Sequence, residues 1–134
     1  MYLIFLIRHK YYQDTVDALR NVFTRLELIL DGVACIKFAD PEVKRICVKN
    51  WDDDGNGEIN VSEAGVSRIL FRIFADNEKI ETFDELKYFN ITPQFDNNFT
   101  NCSRLRSISL PKTYTIIRYQ DFKGTSLEHI ELPD

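Results

Sequence analysis

Histidine is scarce: the sequence carries only His9 and His129, at opposite ends, and neither stands at a suggestive spacing from a serine or cysteine. No nucleophile elbow, glycine-rich phosphate loop or zinc motif occurs anywhere in the chain. Carboxylate neighbours such as Asp84 and Glu85 read as a solvated face. Catalysis therefore has no visible residues, and the expectation is a protein that is not an enzyme. Cysteine is scarce too. Cys35, Cys47 and Cys102 lie far apart and lack the close pairing that builds a zinc site. Their odd number excludes a disulfide framework as the organising principle, and they read as small buried apolar residues. Basic excess is missing, with a net charge of -4 and a pI near 5.2, so no nucleic-acid partner is expected. Long apolar runs are missing as well. Met1 to Ile7 falls far short of the ~20 residues of a membrane span. Arg8, His9 and Lys10 follow that run, with bulky Tyr11 and Tyr12 after them, so no secretory signal is recognisable.

What remains is ordinary for a soluble domain: 134 residues, 44% hydrophobic and 28% charged, enough for one domain or two small modules sharing a core. Val16, Leu19, Phe23, Leu26, Leu30 and Val33 recur three and four apart and predict an amphipathic helix from Asp14 to Val33, with Asp14 or Thr15 as cap and Asp31-Gly32 as stop. That face either packs on its own domain or drives self-association through Val16 to Val33. After an extended piece, Ala34 to Phe38, Asp40-Pro41-Glu42 sets a capping residue before a proline at the first helical position. Val43, Ile46, Cys47 and Trp51 would be the buried face of this second helix. Val66, Ile69, Leu70, Ile73 and Phe74 would be the matching face of a third, beginning at Ser62.

Between them lies DDDGNGEINVSE, Asp52 to Glu63. A hard divalent cation takes oxygen ligands from positions 1, 3, 5, 7, 9 and 12 of a twelve-residue loop with glycine at 6. Asp52, Asp54 and Asn56 would give side-chain oxygens, Glu58 its backbone carbonyl, Asn60 an oxygen directly or through water, and Glu63 both carboxylate oxygens. Gly57 takes the sharp turn, and Ile59 is the apolar residue placed to pair with a short strand. The expected ligand is Ca2+. A sensor pairs two such loops with a methionine-rich groove, whereas this chain has one loop and one methionine, so a structural ion is expected. Its affinity should fall on the order of 10⁻⁵ to 10⁻³ M.

From about Ile80 the chain gains Asn, Thr, Ser and Pro, and an internal repeat emerges. Phe99-x-x-Cys102-x-x-Leu105-x-x-Ile108-x-Leu110-Pro111 is echoed by Phe122-x-Gly124-x-x-Leu127-x-x-Ile130-x-Leu132-Pro133. A weaker copy is suggested by Leu86, Phe89 and Ile91 before Pro93. Such a period is the pattern of leucine-rich repeats, each giving a short strand that needs a neighbour to bury its apolar side. Four Asn-x-Ser/Thr sequons, at Asn60, Asn90, Asn98 and Asn101, read as products of composition.

On the segments FTNCSRLRSISLP and FKGTSLEHIELP, the chain resembles BspA-like leucine-rich repeat proteins. The stretch from Ile36 to Ala64, with ETFDELKYF (Glu81 to Phe89), resembles the EF-hand or dockerin-like calcium module that often precedes such repeats. The resemblance implies a secreted or cell-surface bacterial protein whose repeat surface binds a protein or host ligand without catalysis. The expected fold is α+β: N-terminal helices (1–35), one EF-hand-type helix-loop-helix (36–79), then a short solenoid of parallel strands (80–134). With two clear repeats, a longer parent chain is expected. Binding would use Arg104, Arg106, Ser107, Ser109, Glu128, His129 and Glu131, which alternate with buried Leu and Ile. A dockerin-like docking module and an oligomeric appendage held by the N-terminal helix are the alternatives.

Overall fold

A computed structural model describes residues 13–22 and 34–134. The chain divides into two units, Met1–Ala34 and Cys35–Asp134. In the first, residues 13–22 are helical (α1), with Leu19 and Val22 half exposed. The remainder of the expected helix, its stop at Asp31-Gly32, and the apolar start with His9 lie outside the described residues.

The second unit opens with α2, Pro41–Trp51. Asp40 caps it by accepting from the amides of Glu42 and Val43, and Pro41 occupies the first turn, where its missing N–H costs nothing. Val43, Ile46, Cys47 and Trp51 form the buried face, as their spacing predicts. The third helix does not form at the expected length. α3 is a single turn, Val61–Ala64, closed by a capping box between Asn60 and Glu63. Beyond it Arg68–Leu70 is a strand (β1), so Ile69 and Leu70 belong to a sheet and not to a helical face.

β1 begins a solenoid. Its other strands are β2 (Thr82–Phe83), followed by a 3-10 turn over Asp84–Tyr88, then β3 (Ile91–Pro93), β4 (Ser107–Ser109) and β5 (His129–Glu131). β1 pairs with β3, and β2, β4 and β5 form a second sheet in that order. Every pairing is parallel, with Arg68 beside Ile91, Thr82 beside Ser107 and Ser107 beside His129. From β1 to β4 the strands fall alternately in the two sheets, and β5 then extends the second sheet, so successive coils stack with the apolar side of each against its neighbour.

The coils repeat in detail. Phe74, Phe99 and Phe122 stack, with ring centroids 5.4 and 5.5 Å apart and planes tilted by 13° and 6°. Two residues before each ring the backbone is left-handed, at Arg72, Asn97 and Gln120; two residues after, it is again left-handed, at Asp76, Asn101 and Gly124. Between these turns the side-chain oxygen of Asn98 accepts from the amide of Arg72, and that of Asp121 accepts from the amide of Asn98, at 3.1 and 3.0 Å. Buried Asn98 and Asp121 thus satisfy amides that would otherwise lose water without a partner. Ile80 and Leu105, like Phe83 and Ile108, are fully buried at matching places.

This register corrects the upstream repeat. The first coil is carried by Phe74, Ile80 and Phe83. Leu86 lies in the 3-10 turn, and Ile91 lies in the other sheet. The coil therefore takes in residues upstream of Ile80, where the composition changes.

α2 closes the first coil. Trp51 packs against Phe74 and Phe89, at centroid distances of 5.8 and 5.2 Å. In later coils the amide of Arg106 donates to the Glu81 carbonyl and that of Glu128 to the Arg106 carbonyl, both at 2.8 Å. Glu81 has no preceding coil, and its amide donates instead to Oδ2 of Asp40 at 2.6 Å, as does that of Thr82 at 3.2 Å. A side-chain carboxylate takes the place of a strand carbonyl.

Candidate metal centre and repeat face

The loop from Asp52 to Glu63 leaves the C-terminus of α2 and enters α3. Gly55 and Gly57 hold φ of 73° and 83°, values at which a side chain strains the backbone, and the glycine at position 6 supplies the turn the motif requires. Asp52 accepts from the amides of Gly55 and Gly57, at 2.7 and 2.8 Å. Asp54 accepts from the amide of Asn56 at 3.0 Å, and the side-chain oxygen of Asn56 from that of Glu58 at 2.8 Å. Glu63 reaches back across the loop, one oxygen accepting from the amides of Asp53 and Asp54 and the other from that of Asn60.

These bonds bring carboxylate oxygens of Asp52, Asp54 and Glu63 within 4.8 Å of one another. Like charges repel at that separation, and the ring of amides offsets the repulsion. The Gly57 amide above all, together with those of Gly55 and Asn56 and a bond with Asp54, holds the Asp52 carboxyl below its usual range against the opposing effect of desolvation. The donor set is oxygen throughout, which suits a hard divalent cation and gives a soft one no thiolate or imidazole. Asn60 is buried, with its side-chain oxygen donated to by the amide of Glu63, so it is committed to capping α3. The side chain of Glu58 pairs with Lys44 of α2 at 2.6 Å.

Three supports of the loop use partners that the sequence does not name. The amide of Ile36 donates to the carbonyl of Ile59 at 2.7 Å, and Cys35 bridges Asn60 in antiparallel fashion. The extended piece before α2 thereby supplies the strand that a second loop would otherwise provide. Asp53 forms an ion pair with Arg68 of β1. The amide of Asn90 donates to the carbonyl of Ala64 at 2.9 Å, so the residue after Glu63 is hydrogen-bonded into the neighbouring coil.

On the other sheet, the expected binding residues divide into two groups. Arg104, Arg106, Glu128 and His129 are exposed, and Arg104 and Arg106 both reach the carboxylate of Glu81. Ser107 is half-buried and Ser109 is buried, and both hydroxyls are engaged within the stack. The Ser107 hydroxyl donates to Asp84 at 2.6 Å, and that of Ser109 donates to Glu131 at 2.6 Å with Asp84 3.4 Å away. Ser109 is 1% exposed, a correction to its place in the binding face: its hydroxyl joins neighbouring coils. Glu131 is held by Ser109 and Lys87, which lower its carboxyl pKa.

Cys47 and Cys102 are buried as expected, whereas Cys35 is exposed. Among the described residues no helix is long and apolar enough to cross a membrane.

A family model described as "BspA type Leucine rich repeat region (6 copies)" matches residues 43–134. No curated protein and no solved structure matches the chain.

Proposed function

The chain belongs to the BspA-type leucine-rich repeat family, and from that premise we propose that it is a non-enzymatic protein-binding module whose first coil is closed by α2 and a calcium-stabilised loop. Leucine-rich repeats generally mediate contacts between proteins, and a stack of coils with a charged outer face suits that role. The proposed contact face comprises Arg104, Arg106, Glu128 and His129, and a secreted or cell-surface setting belongs to the same reading.

The observation that carries the calcium half is the convergence of Asp52, Asp54 and Glu63 within 4.8 Å on a loop tied to β1 through Asp53 and Arg68. Asn56 and the Glu58 carbonyl complete the ligand set. Bound calcium would supply positive charge to this acidic ring and tie α2 to α3. The ion's role is structural, since the loop braces the closed end of the stack. At a hundredfold excess over its dissociation constant, calcium would stabilise the fold by about 2.7 kcal/mol.

Titration calorimetry, with melting curves in calcium and in chelator, tests this on the parent chain and on Asp52→Ala/Glu63→Gln. The expected result is binding and a raised melting temperature in the parent alone. No binding at millimolar calcium would reduce the loop to a turn and leave the repeats as the basis for function. For the binding face, Arg104→Ala/Arg106→Ala should weaken association with a partner captured by cross-linking; an unchanged affinity would exclude this surface.

A further inference from the structure

The segments that lead into β2, β4 and β5 set side chains in register. Immediately before each strand stand Glu81, Arg106 and Glu128, joined by the bonds from the Arg106 and Glu128 amides to the preceding coil's carbonyl. Two residues further back stand Lys79, Arg104 and Ser126, all exposed. Ile80 and Leu105, between the two rows, are fully buried, so both rows share the outer face.

Charge on that face does not cancel. Arg104 and Arg106 both turn onto Glu81, one at each carboxylate oxygen, at 2.5 and 3.8 Å. Lys79 enters no ion pair among the described residues. Counting Glu128, three cations (Lys79, Arg104, Arg106) meet two carboxylates, in a chain whose net charge is -4. Beside the arginines lies a depression of about 440 Å³, lined by Glu81, Ser103, Arg104, Arg106 and Ser126. The Ser126 hydroxyl donates to the Ser103 carbonyl at 2.7 Å, which leaves the guanidinium N–H groups as the main donors toward a ligand. Each guanidinium carries five of them and spends few on Glu81.

Exposed ion pairs are weak and exchange readily, and an arginine takes an incoming carboxylate as a fork with two parallel bonds. Glu81 therefore stands where a partner's carboxylate would bind. It positions both arginines in the free chain and competes when a second acid arrives.

We propose that this depression receives the acidic side chains of a partner protein, an Asp/Glu-rich segment whose carboxylates bind Arg104 and Arg106 in competition with Glu81. The proposal rests on the protein-binding reading and names the partner's chemistry; it does not depend on calcium.

Fluorescence anisotropy of a labelled oligoglutamate peptide, titrated with the full chain at low ionic strength, tests it. The parent should bind saturably, and binding should weaken as salt is added. Because the chain is acidic overall, general attraction to its surface does not account for such binding. Arg104→Ala/Arg106→Ala should abolish it. Glu81→Gln removes the competitor while leaving the Glu81 amide on Asp40, and should tighten binding about fivefold, with circular dichroism showing an unchanged fold. No saturable binding by the parent overturns the proposal. So does a Glu81→Gln variant that binds no more tightly, or an oligolysine or single-stranded oligonucleotide held as well as oligoglutamate. Should oligoglutamate fail while the arginine variant still weakens a captured partner, the contact face stands and its partner is not acidic; no effect in either experiment removes the face itself.

Discussion

Oδ2 of Asp40 stands 2.6 Å from the backbone nitrogen of Glu81, while Oδ1 of the same carboxylate caps α2 through the amide of Glu42 at 2.9 Å. One buried side chain thus starts a helix and finishes a sheet. Asp40→Ala removes both, and should destabilise the chain by about 2–4 kcal/mol: roughly 1 for the cap and the remainder for strand amides left without a partner. Asp40→Asn keeps an acceptor for one of the two and should fall between. Urea unfolding followed by circular dichroism measures both, and an Asp40→Asn variant as stable as the parent would show that the second oxygen contributes nothing.

The ring stack provides a graded test. Phe99 is fully buried between Phe74 and Phe122, so Phe99→Ala should cost about 3–5 kcal/mol. Phe122 is half-buried, and Phe122→Ala should cost distinctly less. Comparable unfolding midpoints for the two variants would mean that the coils do not stack as described.

Acid should act on the junction between α2 and the first coil. Arg45 first, and Asn77 of the first coil second, hold the Glu42 carboxyl at about 2, below its ordinary 4.5. A depressed carboxylate contributes stability that is complete above its unfolded value and lost as pH falls through the folded one. The loss therefore lies between about pH 4.5 and 2. The pair is solvent-screened, so Glu42→Gln should remove about 0.5–1 kcal/mol at neutral pH and flatten that part of the stability profile. Chemical denaturation at a series of pH values shows whether the parent and variant curves converge in acid.

Thiol chemistry should separate the cysteines. Burial raises the Cys47 thiol far above its usual range and pushes Cys102 up to about 11, and Cys102 Sγ donates to the Phe74 carbonyl. Cys35 is exposed. In native buffer a chromogenic disulfide reagent should react quickly at Cys35, and at the other two only after denaturant is added. Peptide mapping of the modified chain identifies the site.

Some of this architecture was open to sequence reasoning, because local chemistry decides it. Asp40-Pro41 and the spacing of Val43, Ile46, Cys47 and Trp51 define α2, and the acid and glycine positions from Asp52 to Glu63 define the loop. The last two coils declare themselves through Phe, Leu, Ile and Pro at matching offsets. The first coil does not. It has Phe83 where the later coils have isoleucine, and its ring stands 25 residues before Phe99, whereas Phe122 follows after 23. Val66, Ile69, Leu70, Ile73 and Phe74 match a helical period by coincidence, and a three-residue strand is too short for alternation to compete with it. The second task of Asp40 and the burial of Ser109 depend on residues 41 and 25 positions away, Glu81 and Asp84, which no local pattern reveals.

The closure at Asp40 engages only main-chain amides of Glu81 and Thr82. At that contact it reads the strand's direction and not the identity of its side chains. The first coil is singled out elsewhere, by Phe74 and Phe89 under Trp51 and by Asn77 on Glu42, so cap and first coil form one matched unit. Gain or loss of whole coils after the first would leave that junction intact, and sequence could drift in the later coils while the cap stayed the same.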